Sequence, residues 1–245
     1  MPKFVELWVY LSATPLFGLT ATLAVYVAAQ AAYTRLRQAP WANPVLWTVL
    51  ILAGGLLLSG VPYPTYFAGA QFIHFLLGPA VVALAWPLWQ RRAELRQRWG
   101  RLLLAALMGG FAASGSALLL ASVFGLPPEV TLSLAPKSVT APVAMGIAEK
   151  IGGIPALAAV FAVITGMIGS LLGKYLFDML KIPLNYDGWA ARGFALGTAA
   201  HGIGAARALQ VNADAGAYAA LALSLQVILA SLVMPFLVPL FVKLF

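Results

Sequence analysis

Three long stretches of this chain contain no charged residue, and they restrict what it can fold into. No Asp, Glu, Lys or Arg occurs between Glu6 and Arg35, between Arg37 and Arg91, or between Arg101 and Glu129. Each stretch is longer than the roughly 20 residues that a helix needs to cross a bilayer. Lipid-facing strands would alternate apolar and polar residues, and these stretches do not. The sequence therefore predicts an all-α, polytopic transmembrane helix bundle.

The composition argues against other classes of protein. Hydrophobic residues make up 62% of the chain and charged residues only 9%, whereas soluble domains carry roughly 25% charged residues. The net charge of +8 is spread over the predicted membrane loops, which argues against nucleic-acid binding. With no cysteine and two histidines, we expect no metal site. No hydrolase or nucleotide-binding motif is present, so we expect neither an enzyme nor a cofactor.

The apolar pattern predicts about eight membrane segments, at residues 7–34, 44–60, 65–90, 102–125, 129–152, 155–180, 189–209 and 215–241. Proline should interrupt the third segment at Gly78-Pro79, and the fifth at Ala135-Pro136 and again near Pro142. The charged residues 91–101 are predicted to be a cytoplasmic loop. The N-terminus lacks a cleavable signal, so we expect multi-pass insertion into a bacterial cytoplasmic (inner) membrane. If the broken segments re-enter instead of crossing, the number of crossings changes.

A weak internal repeat relates two of the predicted breaks. Residues 77–82 resemble residues 134–139, with Pro79 aligned to Pro136 and Val82 to Val139 at one constant offset. Broken helices in corresponding halves of a chain point to a transporter binding site. The N-terminal ends of such half-helices expose amides with positive partial charge, which suit an anion.

Lys137 is the clearest candidate for a functional charge. It lies between apolar segments, beside Ser138 and Thr140, and a charge at membrane depth is energetically costly. One interpretation is a lysine that extends to the membrane interface. The other is a cation that binds an anion together with the two hydroxyls.

The glycine-rich run around His201 contains the second group of candidates. Histidine titrates near physiological pH, so His201 either bonds to a neighbouring helix or passes a proton. Arg192 and Arg207 flank this run. They are either topology anchors or cations that bind a carboxylate in bidentate fashion.

These motifs resemble those of the LrgB/CidB family of bacterial membrane proteins, which also includes the plant plastid glycolate/glycerate translocator. The resemblance is carried by residues 77–85, 134–145, 151–155, 191–204 and 206–209, and it extends over nearly the whole chain as one domain, 1–245. The chain departs from the family pattern at Gly146, where relatives often have an acidic residue. It also departs at Ala205, a usual Thr, and at Gln210, a usual Glu.

The resemblance implies two competing functions. The first is secondary transport of small monocarboxylates such as glycolate, glycerate, pyruvate or lactate-like acids, with His201 as a proton-coupling residue. The substrate would contact Pro79, Pro136, Lys137, Ser138, Thr140, Thr198, His201, Arg192 and Arg207. The alternative is an antiholin-like regulator of murein hydrolase export and cell lysis. The expected partners are the lipid bilayer, further copies of the chain and a small membrane protein of the LrgA/CidA type.

Overall fold

The computed structural model describes residues 15–76, 79, 82, 85–90 and 92–242. All of the regular secondary structure among these residues is helical, which confirms the all-α prediction. The chain divides into two compact units, Met1–Ala83 and Leu84–Phe245.

The first unit contains α1 (Pro15–Arg35), α2 (Pro44–Ser59) and α3 (Tyr63–Phe75), with a short 3-10 helix at Pro40–Ala42. The side chain of Asn43 accepts hydrogen bonds from two amides in the first turn of α2. Gly60 ends α2 with a φ of 67°, a conformation that favours glycine. Around the predicted break at Gly78-Pro79, residues 77, 78, 80 and 81 lie outside the described residues.

The second unit contains α4 (Ala85–Gln90), α5 (Arg92–Val123), α6 (Pro128–Leu134), α7 (Ala141–Ile151), α8 (Pro155–Met179), α9 (Tyr186–Val211) and α10 (Ala213–Val242). The prediction of a loop over residues 91–101 was wrong, because α5 already begins at Arg92. Ala, Glu, Leu, Arg and Gln, which dominate this stretch, are all strong helix formers. We call the end of the unit that carries Arg96, Arg98 and Arg101 the Arg-rich end.

Four helices within the described ranges are long and apolar enough to cross a membrane. They are Leu16–Arg35, Arg96–Val123, Pro155–Met179 and Ala213–Leu240. The predicted count of about eight crossings is therefore not confirmed. The internal repeat is not confirmed either, since most of residues 77–82 lie outside the described residues.

The fifth predicted segment is a hairpin rather than a crossing. A turn at residues 135–140 separates α6 from α7. The Ile154 amide then donates a hydrogen bond to Ser133 Oγ over 2.7 Å. Because α7 alone is about 16 Å long, its end can return to Ser133 only if the chain reverses direction. We call residues 128–151 hairpin 1.

The break at Ala135-Pro136 is thus confirmed, and it continues to Thr140, so the interruptions expected at Ala135-Pro136 and near Pro142 form one continuous turn. Pro142 lies in the first turn of α7. At that position the missing N–H of proline would have no helical partner in any case, so the ring does not interrupt the helix.

Helix α9 is a second hairpin. His201 has φ 42° and ψ −135° and separates a first limb (186–200) from a second limb (202–211). A β-carbon on Gly204 would lie 2.5 Å from the Leu196 carbonyl oxygen. These residues would be about 12 Å apart along a straight helix, so the chain reverses at His201. We call residues 186–211 hairpin 2.

The two hairpins enter the second unit from opposite ends. Helix α8 starts beside the base of hairpin 1 and runs antiparallel to the first limb of hairpin 2. Three glycines on one face of α8 provide this contact. β-Carbons on Gly166, Gly169 and Gly173 would lie within 3 Å of His201, Ala200 and Leu196, respectively. The base of hairpin 2 lies at the Arg-rich end, where Arg98 pairs with Asp187 over 2.8 Å. Along the chain, the second unit thus consists of the candidate span α5, hairpin 1, the candidate span α8, the inverted hairpin 2 and the candidate span α10.

Candidate functional site

The tips of the two hairpins meet beside the middle of α8. A β-carbon on Gly202 would lie 4.0 Å from Thr140 Cγ2. Gly166, near the midpoint of α8, faces the His201 ring. We call the residues gathered here the tip site: Lys137, Ser138, Thr140, Thr198, His201 and Gly202. Five of them were predicted as site residues from the sequence.

The turn of hairpin 1 is held by contacts with α5. The Ala135 carbonyl accepts a hydrogen bond from Ser114 Oγ over 2.9 Å. Pro136 and Ser138 are buried, whereas Lys137 is half-buried and donates from Nζ to Ser138 Oγ over 3.3 Å. The ammonium group therefore lies beside the turn and one of its two hydroxyls.

Two helix N-termini converge on the tip site. Helix α7 begins after Thr140, whose side chain makes no capping hydrogen bond, and the second limb of hairpin 2 begins at Gly202. The first amides of a helix lack intrahelical partners and carry positive partial charge. Because the hairpins enter from opposite ends, both sets of amides approach one place, which is suited to an anion.

The His201 ring is anchored on α8. Its Nε2 lies 2.7 Å from the Ala162 carbonyl oxygen. A carbonyl only accepts, so Nε2 carries the hydrogen and Nδ1 is the atom that would take up a second proton. The positive φ of His201 is a strained conformation for any residue except glycine.

Thr198 lies one turn before His201 in the first limb. It is buried, and its Oγ1 has no hydrogen-bond partner among the residues that the structure describes. Its methyl group packs toward α5, where a β-carbon on Gly109 would lie 2.7 Å from Thr198 Cγ2. The hydroxyl is thus a buried donor available for another group.

Two predicted site residues of the second unit, Arg192 and Arg207, do not join the tip site. Arg192 lies about 13 Å from His201 along the first limb, where it pairs with Asp178 over 3.0 Å and also donates to the Ile182 carbonyl. Arg207 is buried in the second limb, about 9 Å along its axis from His201. Pro79 is exposed within the first unit, and its contact with a substrate stays a prediction from the sequence.

A cavity of about 580 Å³ lies between α5, the first limb of hairpin 2 and α10. It was not predicted from the sequence. Its lining includes Arg98, Arg101, Asp187, Phe194, Thr198 and Tyr218. Ala191, Ala195 and Ala199 repeat every fourth residue along its wall. This stripe is visible in the sequence, but the identity of the facing helix is not. Among the described residues, no three His, Asp or Glu side chains are placed to hold a metal ion.

Comparison with known proteins identifies the family. The model of the LrgB-like family matches residues 22–240. The chain belongs to the LrgB-like family. No solved structure matches it.

Three relatives of this LrgB-like chain cover most of its length. An uncharacterised Haemophilus influenzae protein is 36% identical over 194 residues, 79% of this chain and 82% of the relative. The uncharacterised protein YxaC of Bacillus subtilis is 35% identical over 220 residues, 90% and 94% of the two chains. A Staphylococcus aureus relative named holin-like protein CidB is 30% identical over 202 residues, 82% and 86% of the two chains. The apolar helices and these relatives together indicate a membrane protein.

Proposed function

We propose that this LrgB-like protein is a secondary transporter of small monocarboxylates such as glycolate, glycerate, pyruvate or lactate. One observation carries the proposal: Lys137 and two helix N-termini converge where oppositely directed hairpins meet. Transporters commonly bind their substrates at discontinuous helices near the middle of the membrane, with the half-helix N-termini directed at anionic groups.

The charge of the site favours one carboxylate over two. Lys137 supplies one full positive charge, and the helix N-termini supply partial charges. Ser138, Thr140 and Thr198 would donate hydrogen bonds to the carboxylate or to a substrate hydroxyl. Pro136 shapes the turn, whereas for Arg207, which does not join the tip site, a role as a second cation remains a prediction from the sequence. For Arg192 and Pro79, substrate contact remains a prediction from the sequence.

His201 is the candidate for proton coupling. Nδ1 would take up the proton while Nε2–H remains bonded to the Ala162 carbonyl. Replacement by Gln should abolish uptake driven by an inward proton gradient but preserve exchange of labelled for unlabelled substrate. Gradient-driven uptake by His201→Gln at the wild-type rate would remove this role.

The inverted hairpins suggest how access could alternate. Movement of hairpin 2 would open the site toward the Arg-rich end, and movement of hairpin 1 would open it toward the other end. By the positive-inside rule, we expect the Arg-rich end to face the cytoplasm of a multi-pass protein in the bacterial inner membrane. A small LrgA/CidA-type partner and self-association remain part of the proposal.

Reconstituted liposomes test the transport function. Purified protein should take up labelled glycolate or pyruvate with saturable kinetics, and unlabelled two- and three-carbon monocarboxylates should compete. Dicarboxylates should compete weakly. Absence of saturable uptake for the whole panel, by protein shown to be folded, would contradict the proposal.

A holin-like role is the second candidate, because relatives 30% identical to this chain carry that name. It predicts a membrane lesion with no substrate selectivity. Liposomes holding a trapped dye much larger than glycolate distinguish the two functions. A transporter retains the dye while it moves the acid, whereas a lesion releases both.

A further inference from the structure

The cavity at the Arg-rich end leads toward the tip site. Its wall on the first limb extends from Asp187 to Ala199, about 18 Å along the helix axis. At its inner end, Thr198 lies only one turn from His201. The cavity therefore extends from the Arg-rich end of the second unit to the neighbourhood of the hairpin tips.

The mouth of the cavity carries net positive charge. Arg98 and Asp187 form an ion pair over 2.8 Å and largely offset each other. Arg101 also lines the cavity and has no ion-pair partner within the described part of the chain. Farther in, the wall is mostly apolar, with Leu102 and Phe194 buried. A charged mouth with low-dielectric walls concentrates ions of opposite sign, here anions.

The inner end of the cavity holds a polar group that is not satisfied by the protein. Thr198 is 6% exposed, and its Oγ1 has no hydrogen-bond partner among the described residues. Buried hydroxyls are nearly always hydrogen-bonded, so one without a partner on a cavity wall is suited to donate to a ligand. A carboxylate oxygen would accept that bond.

We propose that this cavity is a second anion-binding site, through which a small carboxylate passes between the Arg-rich side and the tip site. Arg101 is the recognition cation at the mouth, and Thr198, which also belongs to the tip site, is the contact that the two sites share. The identity of the anion as a carboxylate rests on the proposed function. The preference of the cavity for anions rests on its own lining.

The chain contains no cysteine, so single cysteines can probe the cavity directly. Ala195→Cys and Ala191→Cys place thiols on its wall, at residues that are already exposed. Leu104→Cys is the matched control on α5, because Leu104 is exposed but does not line the cavity. Arg96→Cys marks the face of the membrane that carries the Arg-rich end. Two membrane-impermeant methanethiosulfonate reagents, one with a sulfonate and one with a trimethylammonium group, are applied to vesicles of each orientation.

Both cavity thiols should react with reagent applied to the face marked by Arg96→Cys. After each rate is normalised to the rate of a free thiol in solution, the sulfonate reagent should react at least about threefold faster than the trimethylammonium reagent. Adding Arg101→Gln should remove most of that preference, and Leu104→Cys should react with neither reagent. Two results would overturn the inference: both wall thiols unreactive in folded protein, or equal rates with the two reagents that Arg101→Gln leaves unchanged.

Labelling does not depend on flux, so the two proposals can fail separately. Anion-selective labelling without carboxylate uptake would contradict the transport function and leave the anion site in place. Carboxylate uptake in which Arg101→Gln changes neither KM nor labelling would contradict the entrance and leave the transport function in place.

Discussion

His201 occupies a backbone conformation that disfavours every residue with a side chain, and its ring is bonded to α8. Such strain costs about 1–3 kcal/mol and persists where the surrounding contacts enforce it. His201→Ala would lose the ring and keep the strain, whereas His201→Gly would lose the ring and release it. We expect the Gly variant to be the more stable of the two by about 1 kcal/mol, and both to lose uptake. Thermal unfolding in detergent checks this order, and a less stable Gly variant would contradict the strained turn.

A substitution at Arg192 distinguishes a structural role of this residue from a role in substrate binding. Its guanidinium is buried, while the side chain of its partner Asp178 is 46% exposed. Arg192→Met should therefore lower stability by roughly 1.5–3 kcal/mol, the range for a hydrogen bond to a charged group. The folded fraction should keep the wild-type KM for the carboxylate. The matched control is exposed Arg96→Met, which should change neither quantity. A raised KM at unchanged stability would instead support the role in substrate binding that the sequence predicts.

At the scale of elements, hairpin 2 depends on close packing against α10. A β-carbon on Gly193 or Gly197 would collide with the carbonyl oxygen of Ala215 or Ala219. Because these atoms belong to the backbone, they cannot move aside as a flexible side chain would.

Gly197→Ala should consequently prevent stable packing of the first limb and sharply reduce the yield of monodisperse protein. Gly115→Ala is the control, since a β-carbon there would meet nothing within 4 Å. Size-exclusion chromatography and melting in detergent provide the measurement. Equal behaviour of the two variants would rule out the close contact.

The local signals for both breaks are present in the sequence, but their three-dimensional outcome is not. Proline within an apolar run predicted the break at Ala135-Pro136, and the glycines clustered around His201 permit irregular helix geometry. Reversal of the chain depends on contacts distant in sequence, such as Ser133 with Ile154. The loop assigned to residues 91–101 failed because charge patterning reports topology, whereas helix propensity continues through the stretch.

At the scale of the whole molecule, alternating access requires the two hairpin tips to move apart. Thr140→Cys combined with Gly202→Cys would place two thiols at the tip contact in a chain that otherwise has none. A short thiol crosslink should block uptake, and its reduction should restore it. Each single variant treated in the same way is the control. Full-rate uptake by completely crosslinked protein would show that the tips need not separate.

The sequence predicted Lys137, Ser138, Thr140, Thr198 and His201 as residues of one site, and in the structure they lie in or beside the turns of hairpins 1 and 2. The sequence alone could not identify the contact between Thr140 and Gly202, nor the cavity at Arg101, because both arise from the packing of helices far apart in the chain. Arg192 shared the local appearance of a site residue. Only the position of Asp178 and Ile182 revealed what its guanidinium binds.

The most direct test of the central claim compares Lys137→Met with Lys150→Met in liposomes. Both substitutions remove one ammonium group and keep an apolar stem, but Lys150 is exposed in the last turn of α7. Saturable uptake of labelled glycolate or pyruvate should fall by at least about tenfold in Lys137→Met, since a charge-assisted contact is worth roughly 1.5–3 kcal/mol. Lys150→Met should retain wild-type uptake. Equal uptake by the two variants, with both shown to be folded, would contradict the account of a carboxylate site at the hairpin tips.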